Sequence, residues 1–147
     1  MQYLKATLDE SLQDIFRVGE ESFKKFYPRE KFLERIKDKK YWIYLAKEKQ
    51  EVVGFKIFYE DNDRELYSWL SAVKPKHRRK GIASTLMNLE INFAKENNYS
   101  KIKLKTHKGH PEMISLCKKF RFIEVGREPH HWKDNIDKEA IFFELNL

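Results

Sequence analysis

Arg78, Arg79, Lys80 and Gly81 stand directly before an amphipathic run that begins at Ile82, and residue types in that order suit the binding of an anion. The first N–H groups of a helix lack intrahelical partners and the macrodipole adds partial positive charge there. A phosphate can therefore bind largely through backbone. Gly81 lets the backbone approach closely, the three cations add charge, and Ala83 is small enough to leave room above the first turn. Dipole and N–H contributions of about 0.3–2 kcal/mol each make the stretch Arg78–Ser84 an adequate seat for two linked phosphates. The same residues also suit a plain cationic loop that happens to precede a helix, and a lone Gly beside three cations does not decide between the two readings.

Such a loop needs a strand before it and a helix after it. Glu65–Val73 alternates as a strand should, and Ile82, Leu86, Leu89 and Phe93 recur by four, three and four residues, which predicts one buried helical face ending at Asn97-Asn98. Lys101–Thr106 alternates Lys with apolar or polar residues and reads as a half-buried strand, so strand, helix and strand form a parallel crossover. Upstream, Gln2–Lys5 is a short strand. Leu8, Leu12, Ile15, Phe16, Phe23 and Phe26 then follow helical spacing, with Thr7 or Asp9 as cap and Pro28 as the break; Phe32, Leu33 and Ile36 mark a second short helix. Tyr41–Lys47 and Val52–Tyr59 are β-rich, joined by the turn Glu48–Glu51, and the turn Asp61–Arg64 leads into Glu65–Val73. Pro111 opens a helix carrying Met113, Ile114, Leu116, Cys117 and Phe120. Strands Phe122–Arg127 and Lys138–Leu145 close the chain around His130–Asp137.

Arg78-x-x-Gly81-x-Ala83 after a strand resembles the Arg/Gln-x-x-Gly-x-Gly/Ala pyrophosphate loop of the GNAT superfamily of acyl-coenzyme A N-acyltransferases. Met113 to Gly126 resembles a second segment of that family, with Phe122 and Gly126 in register. Three positions depart from the family pattern: His110 stands where Asn is usual, Cys117 where Tyr is, and Arg121 where the first Gly is. The resemblance covers nearly the whole chain. It implies an α/β (α+β) GNAT fold of order β-α-α-β-β-β-α-β-α-β-β, with a mixed central sheet of about seven strands flanked by about four helices, as a single domain over residues 1–147.

By the same resemblance the cosubstrate is acetyl-CoA, with its pyrophosphate on Arg78, Arg79, Lys80, Gly81, Ile82, Ala83 and Ser84, and its pantetheine beside Leu70, Ala72 and Val73 and near His110. The two central parallel strands are expected to splay there, leaving N–H groups that can hold the thioester carbonyl and the oxyanion that follows. Relatives place a Glu or His base at the positions of Trp69 and Tyr67, neither of which is a good base at neutral pH. Glu65 shares that strand face by parity, and Glu60, Asp61 and Asp63 lie in the preceding turn, so a carboxylate acting through water remains an alternative to a solvated turn charge. Tyr67 and Trp69 suit either an aromatic wall for the acceptor or ordinary core. Freeing a lysine-like amine at pH 7 costs roughly 4.6 kcal/mol, against about 1 kcal/mol for an α-amine, so the absence of a strong base favours acceptors of low pKa, on a small molecule or a protein N-terminus. Cys117 stands where relatives carry the proton donor to the departing thiolate. A thiol is acidic enough for that, but a lone helical Cys is more often a small buried hydrophobe. His107 and His110 flank the same cleft as alternative donors or as surface residues.

Composition sets the outer bounds. A chain of 147 residues with 41% hydrophobic and 14% aromatic content can build a core, and a single cysteine excludes an internal disulfide. The absence of an apolar leader or of a run of about 20 apolar residues points to a cytoplasmic protein without a membrane partner. His and Cys are too sparse for structural zinc. The net charge of +7 is scattered and unaccompanied by a nucleic-acid motif, which disfavours DNA or RNA as partner. The resemblance implies an enzyme, an N-acetyltransferase that moves the acetyl group to a primary amine by direct attack in a ternary complex, with a non-catalytic CoA-binding module of the same fold as the alternative; an exposed final strand would permit a homodimer, and the acceptor pocket is expected among Phe23–Ile36 and His130–Asp137.

Overall fold

Thr7 separates the first strand (β1, Gln2–Ala6) from the first helix (α1, Leu8–Ser22) through a reciprocal cap. Its hydroxyl accepts the Glu10 N–H at 3.3 Å, and the Glu10 carboxylate accepts the Thr7 N–H at 3.2 Å. The helix ends at Ser22, earlier than the spacing of Phe23 and Phe26 predicts. Phe23 is extended and its N–H returns to the Gly19 carbonyl, while Phe26 folds back so closely that a Cβ on Gly19 would lie 2.5 Å from its ring. Phe26 also packs edge-on against Phe16 at 5.1 Å. These aromatics fill the core from a return segment, and their helix-like spacing is incidental.

The computed structural model describes residues 1–129 and 139–147. After α2 (Arg29–Ile36) come β2 (Tyr41–Glu48), β3 (Glu51–Asn62) and β4 (Glu65–Val73), a 3-10 turn at Pro75–His77, α3 (Ile82–Glu96), β5 (Lys101–His107), α4 (Pro111–Lys119), β6 (Ile123–Pro129) and β7 (Glu139–Asn146). The strands form one sheet in the order β1-β2-β3-β4-β5-β7-β6, parallel only between β4 and β5. This is the mixed seven-stranded architecture that the resemblance implies. The edge differs from expectation: β7 inserts between β5 and β6, so β6 is the outer strand and exposes Ile123 and Val125.

Two apolar layers hold the sheet. Ile15, Val18, Phe32 and Ile36 of α1 and α2 pack on Ile43, Phe55 and Ile57 on one face. On the other face Leu86, Met87 and Phe93 of α3 and Cys117 of α4 pack on Phe58, Leu66 and Ile102. Each such side chain contributes about 1.5–3 kcal/mol when fully buried. Among the described residues, no helix is long and apolar enough to cross a membrane.

The second layer contains a polar trio. Lys56 of β3 and Glu90 of α3 are 2% and 0% exposed, their charged groups 3.3 Å apart, and Ser68 of β4 donates to the same Glu90 oxygen at 2.9 Å. Leu89, the expected core position, is only half-buried, and the i+4 step from Leu86 lands on Glu90 instead. Burial pushes the Glu90 carboxyl up against the pull of Lys56 and Ser68. Breaking a buried pair strands a charge in low dielectric, whereas replacing both partners with apolar groups is often neutral. Lys56→Met alone should therefore cost about 3–5 kcal/mol in urea unfolding, and Lys56→Met with Glu90→Leu about 1 kcal/mol or less.

Candidate functional site

β4 and β5 are paired only from Glu65↔Lys101 to Ser68↔Leu104. Beyond that point each strand keeps its outer neighbour, β4 staying with β3 as far as Val73↔Gly54 and β5 with β7 as far as His107↔Ala140. The inner edges of Trp69–Val73 and Lys105–His107 therefore face a gap in the middle of the sheet. A bulge drives the separation: Ile57 pairs with Leu70 and Phe58 with Ser68, which leaves Trp69 without an opposite residue. It also resets the side-chain phase. Tyr67, Trp69, Leu70 and Ala72 all belong to the α1–α2 layer, and Val73 turns to the α3 layer. The sequence alternation gives no sign of this bulge.

The loop between β4 and α3 opens at the same end of the sheet. Gly81 is the N-cap of α3 with φ 79°, and Arg79 is left-handed as well, with φ 63°. Successive turns of this kind direct backbone N–H groups into a common concavity. The first intrahelical bond runs from the Thr85 N–H to the Gly81 carbonyl at 3.0 Å, so the N–H groups of Ile82, Ala83 and Ser84 precede it. A Cβ at Gly81 would meet nothing within 4 Å, so the space beside the N-cap is open. Arg78 does not point into it. Its guanidinium donates back to the carbonyls of Val73 at 3.0 Å and Ser22 at 3.3 Å, pinning the loop to β4 and α1. Arg79 and Lys80 are exposed, and the Ile82 side chain is core. Lys119 of α4, which the sequence pattern does not single out, donates to the Ser84 hydroxyl at 2.8 Å and brings a further cation to the helix start.

On the α1–α2 side of the gap lie aromatics. Tyr67 stacks obliquely on Tyr59 at 5.4 Å, and Trp69 contacts Tyr27 and Phe32 at 5.5 and 5.2 Å. The Arg35 guanidinium covers Trp69 at 5.4 Å and donates twice to the Tyr59 hydroxyl. Tyr59, Tyr67, Lys103, Leu104 and Phe142 border a cavity of about 260 Å³. Burial pushes the Tyr67 phenol up, away from use as a base at neutral pH. Glu65 is at the closed end of the ladder, roughly 10 Å below Ser68 at 3.3 Å per residue. Hydrogen bonds from Asn62 and Lys103 hold its carboxyl below the usual range. Lys103 also contacts Asp61, and Lys101 reaches Glu144 at 2.9 Å. Glu65 is thus a member of an ion network that fastens β4 to β5, not a group over the gap.

Cys117 faces the α3–α4 layer with no exposed surface, and desolvation pushes its thiol up to about 11, against a weaker downward pull from Lys56. His110 is the N-cap of α4 and stacks on His107 at 5.9 Å, whose Nδ1 accepts the Gly109 N–H. Leu70, Ala72, Val73, Gly81, Ala83, Ser84 and His110 thus gather around one end of the sheet, while Glu65 stands at the other and Cys117 lies beneath it. The expected acceptor cluster His130, His131 and Trp132 lies outside the described residues. Among the described residues, no group of three His, Cys, Asp or Glu is placed to hold a metal.

The family model for the Acetyltransferase (GNAT) family matches residues 6–122. The chain belongs to the GNAT family. Its members are acetyltransferases, and solved GNAT folds superpose over nearly the whole chain. The ribosomal-protein-S18-alanine N-acetyltransferase from Escherichia coli is 15% identical, with TM-score 0.88 over 99% of this chain and 94% of that one. Ard1 from Thermoplasma volcanium is 20% identical, with TM-score 0.83 over 99% and 97%. A GNAT family acetyltransferase from Elizabethkingia anophelis with acetyl-CoA bound is 18% identical, with TM-score 0.78 over 99% and 97%. At these identities the likeness is one of fold. No curated protein matches the chain in sequence.

The burial of Cys117 has a direct consequence in a GNAT chain with one thiol. At pH 8 a thiol near 11 carries roughly 200-fold less thiolate than one near 8.5. A disulfide reagent such as DTNB should therefore label the folded protein at least about 100-fold more slowly than the urea-unfolded protein; equal rates would show that Cys117 is accessible.

Proposed function

We propose that this GNAT chain is an N-acetyltransferase that moves the acetyl group of acetyl-CoA to a primary amine by direct attack within a ternary complex. The observation that carries the reading is a coincidence of position: an open, left-handed helix start and the gap between β4 and β5 occur at the same end of the sheet. The residues fit the cosubstrate. Backbone N–H groups from Gly81 to Ser84, with Arg79, Lys80 and Lys119 around them, would hold a pyrophosphate, and the inner edge of Leu70–Val73 offers unpaired backbone to an extended pantetheine. N–H groups on that edge would also receive the carbonyl oxygen as charge grows on it. Arg78 acts indirectly by anchoring the loop. His110 closes the far side at the start of α4.

The acceptor would lie on the α1–α2 side, against Tyr67 and Trp69. Neither ring is a base, Glu65 is tied up in the ion network, and Asp61, which lines the Tyr67 cavity, is paired with Lys103, so the amine would arrive neutral or lose its proton to water. That requirement selects amines of low pKa, whether on a small molecule or a protein N-terminus. The buried Cys117 and the raised Tyr67 phenol also suit a non-catalytic acetyl-CoA-binding module; release of CoA thiol across an amine panel separates the two.

Two outcomes test the reading. Gly81→Asp puts a side chain and a negative charge into the open seat at a positive φ, which costs about 1–2 kcal/mol in strain and should abolish acetyl-CoA binding by calorimetry while the protein stays folded. Unchanged affinity in a folded variant would place the pyrophosphate elsewhere. Activity on amines of pKa about 8 should exceed that on lysine-like amines at pH 7, and the ratio should shrink towards pH 10 as the latter lose their protons. A ratio that does not change with pH would reveal a base.

A further inference from the structure

The α1–α2 layer packs on β1 to β4 and stops there, although the sheet continues through β5, β7 and β6. At that boundary is the cavity of about 260 Å³. Tyr59 and Tyr67, whose rings are 5.4 Å apart, border it on the covered side, and Phe142 of β7 and the exposed Val125 of β6 on the other. Leu104 and Phe143 belong with the α3–α4 layer, so between those walls the cavity rests on the sheet itself. Its position along the strands matters more. Leu104 is in the last β4–β5 pair, and Phe142 is opposite Lys105, one residue further on. The cavity therefore reaches the point where the strands part. Its other end is charged, but there Lys103 is paired with Asp61 and Glu65, and Lys101 with Glu144. With those charges matched among themselves, what the cavity offers a ligand is ring and hydrocarbon.

We propose that this cavity receives the side chain of the acceptor, and that the acceptor is an α-amine carrying an aromatic or large apolar side chain. This rests on the acetyl-transfer reading above. Size fits: an apolar cavity of roughly 150 Å³ accommodates benzene, so about 260 Å³ has room for a phenyl or an indole ring. Reach fits as well. Tyr67 is two residues, roughly 7 Å, from Trp69 at the parting of the strands, a span that one side chain bridges with its ring in the cavity and its nitrogen at the gap. An α-amine has its side chain on the carbon next to the nitrogen, and its pKa of about 7.7–8.0 leaves far more of it neutral at pH 7 than a lysine-like amine near 10.4. Asp61 lies at the end of the cavity away from the gap, where β3 pairs with Leu66 and Glu65, and Lys103 holds it there. The cavity thus selects the body of the acceptor and leaves its proton alone.

The test measures kcat/KM at pH 7, by release of CoA thiol, for glycinamide, alaninamide, phenylalaninamide and tryptophanamide, all α-amines. The ring-bearing amides should exceed glycinamide about 10–100-fold, mainly through KM. Short peptides beginning with phenylalanine or glycine should show the same preference, and the series with the higher kcat/KM identifies whether the amine belongs to a small molecule or a polypeptide. Val125→Trp, at an exposed position on the edge strand, should fill the cavity from outside and bring phenylalaninamide down towards glycinamide, with acetyl-CoA affinity kept. Phe142→Ala should enlarge the cavity and raise tryptophanamide relative to phenylalaninamide; it serves if the added indole of the first variant stays in solvent. Equal kcat/KM across the four amides, or a preference that neither variant moves, overturns the proposal while leaving acetyl transfer to other amines intact. Failure of the unsubstituted chain to bind acetyl-CoA, or to release CoA thiol with any amine, would instead remove the acetyl-transfer reading and this inference with it.

Discussion

One strand pair has to be held together at one end and kept apart at the other, and most of the molecule serves that constraint. At the closed end Glu65, Lys101, Lys103, Asp61 and Glu144 alternate in sign across β3, β4, β5 and β7. Single exposed ion pairs contribute about 0–1 kcal/mol; this network crosses four strands and locks their register where the ladder is still complete. At the open end the bulge at Trp69 turns β4 away, while β3 and β7 hold the two parting strands from outside. Unpaired backbone inside a sheet is costly when buried. Its persistence here is explained if a ligand supplies the missing partners.

The loop that follows β4 obeys the same logic on a smaller scale. Left-handed backbone at Arg79 costs about 1–2 kcal/mol and is retained although a glycine stands only two residues away. The Arg78 guanidinium, bonded to two carbonyls from separate elements, holds the segment in that shape. This fixed geometry, more than the charge, supports the proposed phosphate-binding reading over that of a plain cationic loop.

Patterns that depend on local spacing were legible in the sequence. The strand and helix order, the helix start after Gly81 and the parallel crossover all follow from periodicity and from Gly and Pro placement, because those signals act within a few residues. What failed depends on residues far apart in the chain. The end of α1 is set by Phe26 returning onto Gly19, the β4 phase by its register with β3, and the outer strand by the insertion of β7. Glu90 could have been found: a carboxylate four residues after Leu86 on an apolar helical stripe, with a lysine amid the apolar run Val52–Phe58, signals a buried pair. Lys119 carries no such signal, since its relation to Ser84 exists only once α4 packs beside α3.

On the proposed reading the two demands of acyl transfer would fall on opposite faces of the sheet, and the side chains divide accordingly. Over the α1–α2 face are rings, with Tyr67 pushed away from acting as a base, so the nitrogen's proton is left to its own acidity. In the α3–α4 layer the Cys117 thiol is buried and pushed up to about 11, which makes it a poor proton donor to a departing thiolate on the proposed reading. A thiolate is a stable enough anion to leave without one, its parent thiol titrating near 8.5, whereas a lysine-like ammonium near 10.4 gains nothing comparable from an aromatic wall. On that reading the weak point of the site is the nucleophile, and the identity of the amine, more than the acetyl donor, would govern the rate.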